Sequence, residues 1–447
     1  MTSGSRTLAT FAGLAFGMGM LQAADSPTFH KDLLPIFQRN CQGCHRPGEV
    51  APFSLVTYQA ARPWAKAIKA AVIARKMPPW TADPAASVHF SNDARLSDAD
   101  IKTISAWVDA GAPEGNPKDA PTPLKFVEGW NLKPDMIVEM PQAFPIPASG
   151  AIEYQFTLVK VNFPEDIWVS AAEMRPGDSR VVHHGEVWVR PPGSKWMANA
   201  IPGKSYSQSE MRKDAQDSEV IGKFNPGVGA QDFVIGDSAK FIPKGSDLIF
   251  ERHYTTIGQE TTDLTKVGFV FAKGEHKSRY YMSYGPQALN LAIAPGDANA
   301  EVVSEMTLTE PATLVYVQPH MHVRGKDYEL RLIYPTGETQ TVIKGKFDFN
   351  WQIGAELAEP IHMPKGTRMV GISHFDNSPN NPFNPDPKAA VKWGPQNWEE
   401  MSNCFMGLIY DGNIDPKKAS YYSGPSKLPR GTSGPTLSAL TPPSVPK

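Results

Sequence analysis

The chain has three cysteines in 447 residues, Cys41, Cys44 and Cys404. Three thiols cannot build a disulfide framework, so packing and bound groups must stabilise the fold instead. It has no excess of one charge: 44 Lys and Arg stand against 46 Asp and Glu, a net of -2. Nothing in that balance points to a nucleic-acid partner. Long apolar runs are missing too. The run at residues 8–21 is short for a bilayer span, and no later stretch is apolar enough to cross one. There is no internal repeat and no HExxH helix, so neither a solenoid nor that class of zinc hydrolase fits. With 42 prolines and 36 glycines, the chain favours turns and strands over long helices.

What is present begins with an export signal. Arg6, the apolar run and the small residues Ala23 and Ala24 read as a secretory peptide over residues 1–24, with an uncleaved anchor as the competing reading. The mature protein is expected to be periplasmic or secreted, without stable membrane insertion. Residues 25–118 read as helical. Ser97 and Asp100 resemble a capping box, Ile101, Ile104, Trp107 and Val108 follow at helical spacing, and Gly111 with Pro113 stops the helix.

Within this part, Cys41-Gln42-Gly43-Cys44-His45 is a haem-attachment pattern. The two thiols can form thioethers to the haem vinyl groups, and His45 can ligate the iron. A zinc or redox CxxC is the competing reading. The second axial ligand is expected to be Met77, because Pro78 and Pro79 end the preceding helix and hold an extended segment. His30 and His89 are rivals, and a core role for Met77 is the other possibility. The segment resembles bacterial class I c-type cytochrome domains, in which a Met-Pro pair often carries the distal ligand. The expectation is a small all-α cytochrome c domain at 25–118 holding one covalent haem c.

After a Pro-, Asp- and Lys-rich linker at 116–123 the pattern changes to short alternating runs, at 154–160, 187–189, 267–271 and 313–317. Each is bounded by turn residues, the signature of all-β sandwiches. Two jelly-roll-like sandwich domains are expected, at 125–277 and 278–425, followed by a disordered Pro- and Ser-rich tail at 426–447.

The β part carries the other chemistry. His320 and His322 are one residue apart after a β-type run, so both rings share a face while Met321 points away. His183 and His184 are adjacent, and would reach one metal only through a bulge, a distorted strand end or different ring nitrogens. His253 lies on a further apparent strand. Met401 follows Glu399 and Glu400, with Met363, Met369 and Met406 as rivals. Each element alone has a bland reading as a chance pair or a structural residue. Imidazoles with one thioether suit copper, since imidazole serves both oxidation states and soft sulfur selects Cu(I).

Together these pieces resemble the copper type II, ascorbate-dependent monooxygenases, the family of peptidylglycine α-hydroxylating and dopamine β-monooxygenases. The matching segments are Val182-His183-His184, His253-Tyr254-Thr255, Pro319 to Gly325 and Glu399-Glu400-Met401, in that order, with His374 to Ser378 as a further likeness. The resemblance spans residues 131–410. It implies two sandwiches facing each other over a solvent cleft, each with one copper. His183, His184 and His253 would hold an electron-transfer copper. His320, His322 and Met401 would hold the copper that binds oxygen and substrate. Two departures stand out: the animal members are disulfide-rich, and they carry no cytochrome part, which puts ascorbate as reductant in doubt. The expected activity is hydroxylation of a C–H bond of a small molecule with O2, fed by an external donor through the haem. The alternatives are a non-catalytic electron-transfer or copper-handling protein, and a zinc hydrolase.

Overall fold

The alternating runs become strands from Met136 onward, and their pairing builds two cores. The structure is a computed structural model and describes residues 1, 26–49, 51–126, 129–211, 217–225 and 228–423. The expected signal peptide, beyond residue 1, and the expected tail at 426–447 lie outside the described residues.

In the first β unit a five-stranded sheet runs in the order Ser205–Ser207, Gln155–Val159, Asp247–Tyr254, Val182–Arg190, Glu219–Phe224. Phe156, Leu158, Val187 and Phe250 from this sheet pack with Val169, Val267 and Phe269 from the strands Ile167–Arg175 and Lys266–Phe271. In the second unit the five-stranded order is Thr339–Lys346, Gly325–Ile333, Arg368–Phe375, Ala300–Leu308, Ser420–Ser423. Its Leu330, Leu332 and Met369 pack with Leu314, Met406 and Leu408 of Ala312–His320 and Asn403–Asp411. Burial of such side chains from water stabilises each unit.

The outer layers of the two units are one sheet. Ser238–Ile242 pairs in parallel with Ser278–Ser283, Ser278 lying opposite Ser238, and the result is a continuous nine-stranded sheet. Tyr280, Met282 and Val315, which follow the boundary at 277, belong to the first core. The boundary therefore divides the chain but not the sheet.

The N-terminal part departs from expectation. The fold class expected there, a small all-α cytochrome c domain, is corrected by the structure: 36% of the described residues are strand and 12% helical, and among them no sizeable all-α domain forms. The helices Leu34–Asn40, Tyr58–Ala61, Ala65–Ile73 and Asp98–Asp109 have 4 to 12 residues. Proline sets this limit, since it cannot continue a helix interior. Pro63 sits at the start of a short 3-10 turn, and Pro78 and Pro79 follow the third helix. The longest helix is the one with the capping pattern: Ser97 Oγ accepts the Asp100 backbone N–H at 3.0 Å. Phe29, Phe37, Ile104 and Trp107 close a small core around these helices.

Between the third and fourth helices the chain leaves this core as an extended strap. Asp83 N–H donates to Lys344 O at 2.7 Å and Val88 N–H to Val342 O at 3.0 Å. Further along, Ala358 N–H donates to His89 O and Ser91 N–H to Glu356 O. The strap thereby adds to two strands of the second unit, and Trp80, Ala82, Val88 and Phe90 join its core. The CxxCH loop docks on the first unit instead, through Arg46 to Asn131 Oδ1 at 3.0 Å and Arg175 to Glu49 at 3.4 Å. Among the described residues no helix is long and apolar enough to cross a membrane.

Candidate metal centre

The adjacent pair His183-His184 opens the strand Val182–Arg190, which pairs with Asp247–Tyr254. His184 lies opposite His253, but Tyr254 lies opposite Val182, so His183 is the extra residue of a β-bulge. The bulge turns two neighbouring side chains, which a regular strand would send to opposite faces, toward one point. The His183 and His184 Nδ1 atoms are 3.1 Å apart. Donor atoms of all three histidines lie within 4.8 Å of one another. Nitrogens each about 2 Å from one metal stand near this separation, so the trio fits a metal ion. Tyr154 stacks on His253, centroids 4.5 Å apart, and closes one side of the group.

Burial sets the protonation state. It pushes His253 down to about 3, with His183 adding to the effect, and it lowers His183 as well. His184 lies well below its ordinary value, first through burial and then through His253, His183, His320 and His322. The imidazoles are thus held neutral, the form a metal requires. His253 Nδ1 is buried without a hydrogen-bond partner. A buried polar atom left in that state is costly unless something binds it.

The second group is built at the end of Ala312–His320 and just beyond it. The rings of His320 and His322 are 5.3 Å apart. His320 Nδ1 donates to Gln352 Oε1 at 2.5 Å, and His322 Nδ1 donates to Glu399 O at 3.3 Å. Each bond fixes a tautomer with the lone pair on Nε2, as outer partners of metal-bound histidines do. His322 Nε2 is buried and without a partner, and burial, then His320, pushes this group down to about 3. Met321 points into the core, fully buried.

Met401 lies two residues ahead of Asn403, whose strand partner is His320. Its backbone N–H, with those of His322 and Arg324, donates to the buried Glu400 carboxylate. That carboxylate ties the His322 segment to the Met401 segment. Burial pushes it up to about 8, against the pull of those donors. The rival thioethers Met363, Met369 and Met406 are fully buried in the second core. Arg324 is fixed by Asn377 Oδ1 at 2.9 Å and Trp398 O at 2.9 Å, which places the His374 to Ser378 stretch behind the site.

Two connections between the groups escaped the sequence. Phe349 of the second unit stacks on His183 of the first, centroids 5.2 Å apart. The buried Lys223 ammonium, from a strand beside His184, donates to Gln318 Oε1 at 2.7 Å, and Gln318 Nε2 donates to Gln352 O. Nothing in the sequence pattern of residues 347–353 singles out Phe349 or Gln352. A lone Gln or Phe carries no motif, and only packing gives it a role.

At the N-terminal part, Cys41 and Cys44 are free thiols on one turn, and burial pushes Cys41 up to about 12. His45 Nδ1 donates to Phe53 O at 3.1 Å, which leaves Nε2 as the donor atom toward iron. These residues fit a thioether-linked haem. Met77 is half-buried just ahead of the strap. Of its rivals, His30 is engaged with Glu114 at 3.4 Å and His89 is exposed.

No family model matches this chain, and no curated protein matches it. Among solved structures, infectious bursal disease virus Gx strain is 10% identical, covering 65% of this chain and 77% of that one, with a TM-score of 0.18. Allantoicase is 9% identical, covering 54% and 83%, with a TM-score of 0.18. The CBM22-1-CBM22-2 tandem of Paenibacillus barcinonensis Xyn10C is 9% identical, covering 62% and 92%, with a TM-score of 0.15. These likenesses are too low to carry an argument about this protein.

Proposed function

We propose that this chain is an exported copper-dependent monooxygenase that hydroxylates a C–H bond with O2. In this reading His183, His184 and His253 hold one copper, His320, His322 and Met401 hold the other, and Cys41, Cys44 and His45 carry a haem c with Met77 as second axial ligand. The observation that carries the reading is the three-histidine cluster whose donor atoms lie within 4.8 Å of one another, with the His320–His322 pair on the other β unit and Met401 two residues before the strand partner of His320. The likeness of these segments to the copper type II monooxygenases supports it.

When bound, copper supplies one-electron redox chemistry and oxygen activation, and haem supplies a store for one electron. The chain's own residues do the rest. The bulge at His183 aims two rings at one point. Burial keeps the rings unprotonated. Gln352 and the Glu399 carbonyl hold His320 and His322 by their Nδ1 atoms. The Glu400 carboxylate ties the Met401 backbone to the His322 segment, and Tyr154 and Phe349 stack on His253 and His183.

The test is metal analysis of the full-length protein with oxygen uptake. Two coppers per chain are expected, and His253→Ala should lose one and keep the other. Uptake should require a reductant and an oxidisable organic substrate. A protein that takes only zinc would remove the copper reading. A copper protein that consumes no oxygen with any reductant would leave the non-catalytic electron-transfer reading in its place.

A further inference from the structure

Lys223 is a buried cation at the boundary between the two β units, outside both histidine groups. It stands on Glu219–Phe224, with its side chain 3% exposed. Its strand partner is Glu186, two residues beyond His184, and Glu186 Oε1 lies 4.0 Å from the ammonium. The side chain reaches across to the second unit. There Nζ donates to Gln318 Oε1 at 2.7 Å and sits 3.7 Å from the centre of the Phe405 ring. Burying a charge is costly without partners, and both partners across the boundary are neighbours of His320.

Phe405 packs against His320, ring centroids 5.7 Å apart. Gln318 leads to it through hydrogen bonds whose direction is fixed. Gln318 Nε2 donates to Gln352 O at 2.5 Å. Gln352 Nε2 donates to Phe349 O at 3.2 Å, which leaves Gln352 Oε1 to accept the His320 Nδ1–H at 2.5 Å. An ammonium only donates and a backbone carbonyl only accepts, so neither amide can turn over without losing a bond. Tyr316 adds its hydroxyl to Gln318 Oε1 at 3.0 Å, but a hydroxyl can take either role and cannot set the direction.

We propose that Lys223 is the positioning residue of His320. From the first unit it fixes Gln318, Gln318 holds the Gln352 backbone, and Gln352 keeps the His320 proton on Nδ1 and the lone pair on Nε2. The role of His320 as a metal ligand rests on the copper reading above. The state of the ring does not, because each contact named is between protein atoms. His322 provides an internal comparison, since its Nδ1 bonds Glu399 O, outside this chain of bonds. Lys223 also neighbours the strand of His184, so a purely structural role would disturb both histidine groups alike.

Two substitutions cut the chain at different links. Lys223→Met removes the charge and keeps a side chain of similar length. Gln318→Glu keeps Lys223 paired but loses the N–H that holds Gln352 O, and it decides the matter even if the first variant folds poorly. The readout is ring 15N NMR of the metal-free, full-length protein with labelled histidine, the signals assigned by their loss in His320→Ala and His322→Ala. The parent should show His320 as the Nδ1–H tautomer. In both variants its two ring nitrogens should move toward averaged values, while those of His322 stay in place. Cu(I) affinity, read by chelator competition, should fall about tenfold or more for the His320 group in a His253→Ala background. It should be unchanged for the His183 group in a His320→Ala background. Unmoved His320 signals in either variant, or equal loss of affinity at both groups, overturn the proposal while the copper reading stands. A parent protein that binds no copper at the His320 group removes that reading, and the ring signals then decide the positioning alone.

Discussion

The Glu400 carboxylate is the residue on which the second histidine group depends for its shape. It is fully buried and accepts backbone N–H groups from His322 at 2.8 Å, Arg324 at 2.7 Å and Met401. Two segments distant in sequence are thereby held as one, with the Met401 backbone at their junction. Met363, Met369 and Met406 fill the core, where they have packing roles. A thioether is a weak, soft ligand and matters more to Cu(I) than to Cu(II). Met401→Ala should leave Cu(II) loading nearly intact. X-ray absorption of the reduced variant should lack the sulfur scatterer that the parent shows. If the scatterer persists, Met401 is not the ligand.

At the scale of elements, the strap decides how the haem segment sits. Its pairing requires a close backbone approach at Gly345, where a Cβ would stand 1.9 Å from the Thr81 carbonyl oxygen. Backbone cannot yield there as a flexible side chain would. Gly345→Ala should push the strap from its strand at a cost of about 1–3 kcal/mol. The Asp83 and Val88 amides, which donate to Lys344 O and Val342 O, should then exchange with solvent faster. Unaltered protection at both amides would mean the strap is held by its side chains rather than by this pairing. The linker at 116–123 follows the same rule of attachment: Gln38 donates to Thr122 O at 3.0 Å, so it runs along the helices rather than away from them.

For the whole molecule, the shared sheet is the governing feature. The parallel pair Ser238–Ile242 with Ser278–Ser283 crosses the boundary between the two β units, and so does the buried bond from Lys223 to Gln318. Tyr280 and Met282 of the second unit complete the core of the first. Exposing one core would expose part of the other. The metal-free β units should therefore unfold together, in one calorimetric transition whose measured and van't Hoff enthalpies agree. Two resolved transitions would show that the units are independent despite the common sheet. Such coupling also keeps the two histidine groups at a fixed separation, which a hinge between free domains would not.

The sequence by itself determined what short-range patterns can carry. Alternation marked the strands, the Ser97 cap and the helical spacing after it marked Asp98–Asp109, and His320 and His322 were placed one residue apart on a strand end. The spacing of Cys41, Cys44 and His45 was readable for the same reason, since a turn is local. The tertiary structure alone decided the rest. Whether His183 and His184 share a point depended on a register shift against Tyr254, and register is set by the partner strand. The expectation of an all-α N-terminal domain failed because helical periodicity around the prolines does not reveal that residues between the helices extend onto a distant strand edge. Gln352 and Phe349 carry no local signal, and their meaning comes from a loop that packs between two histidine groups far apart in the chain.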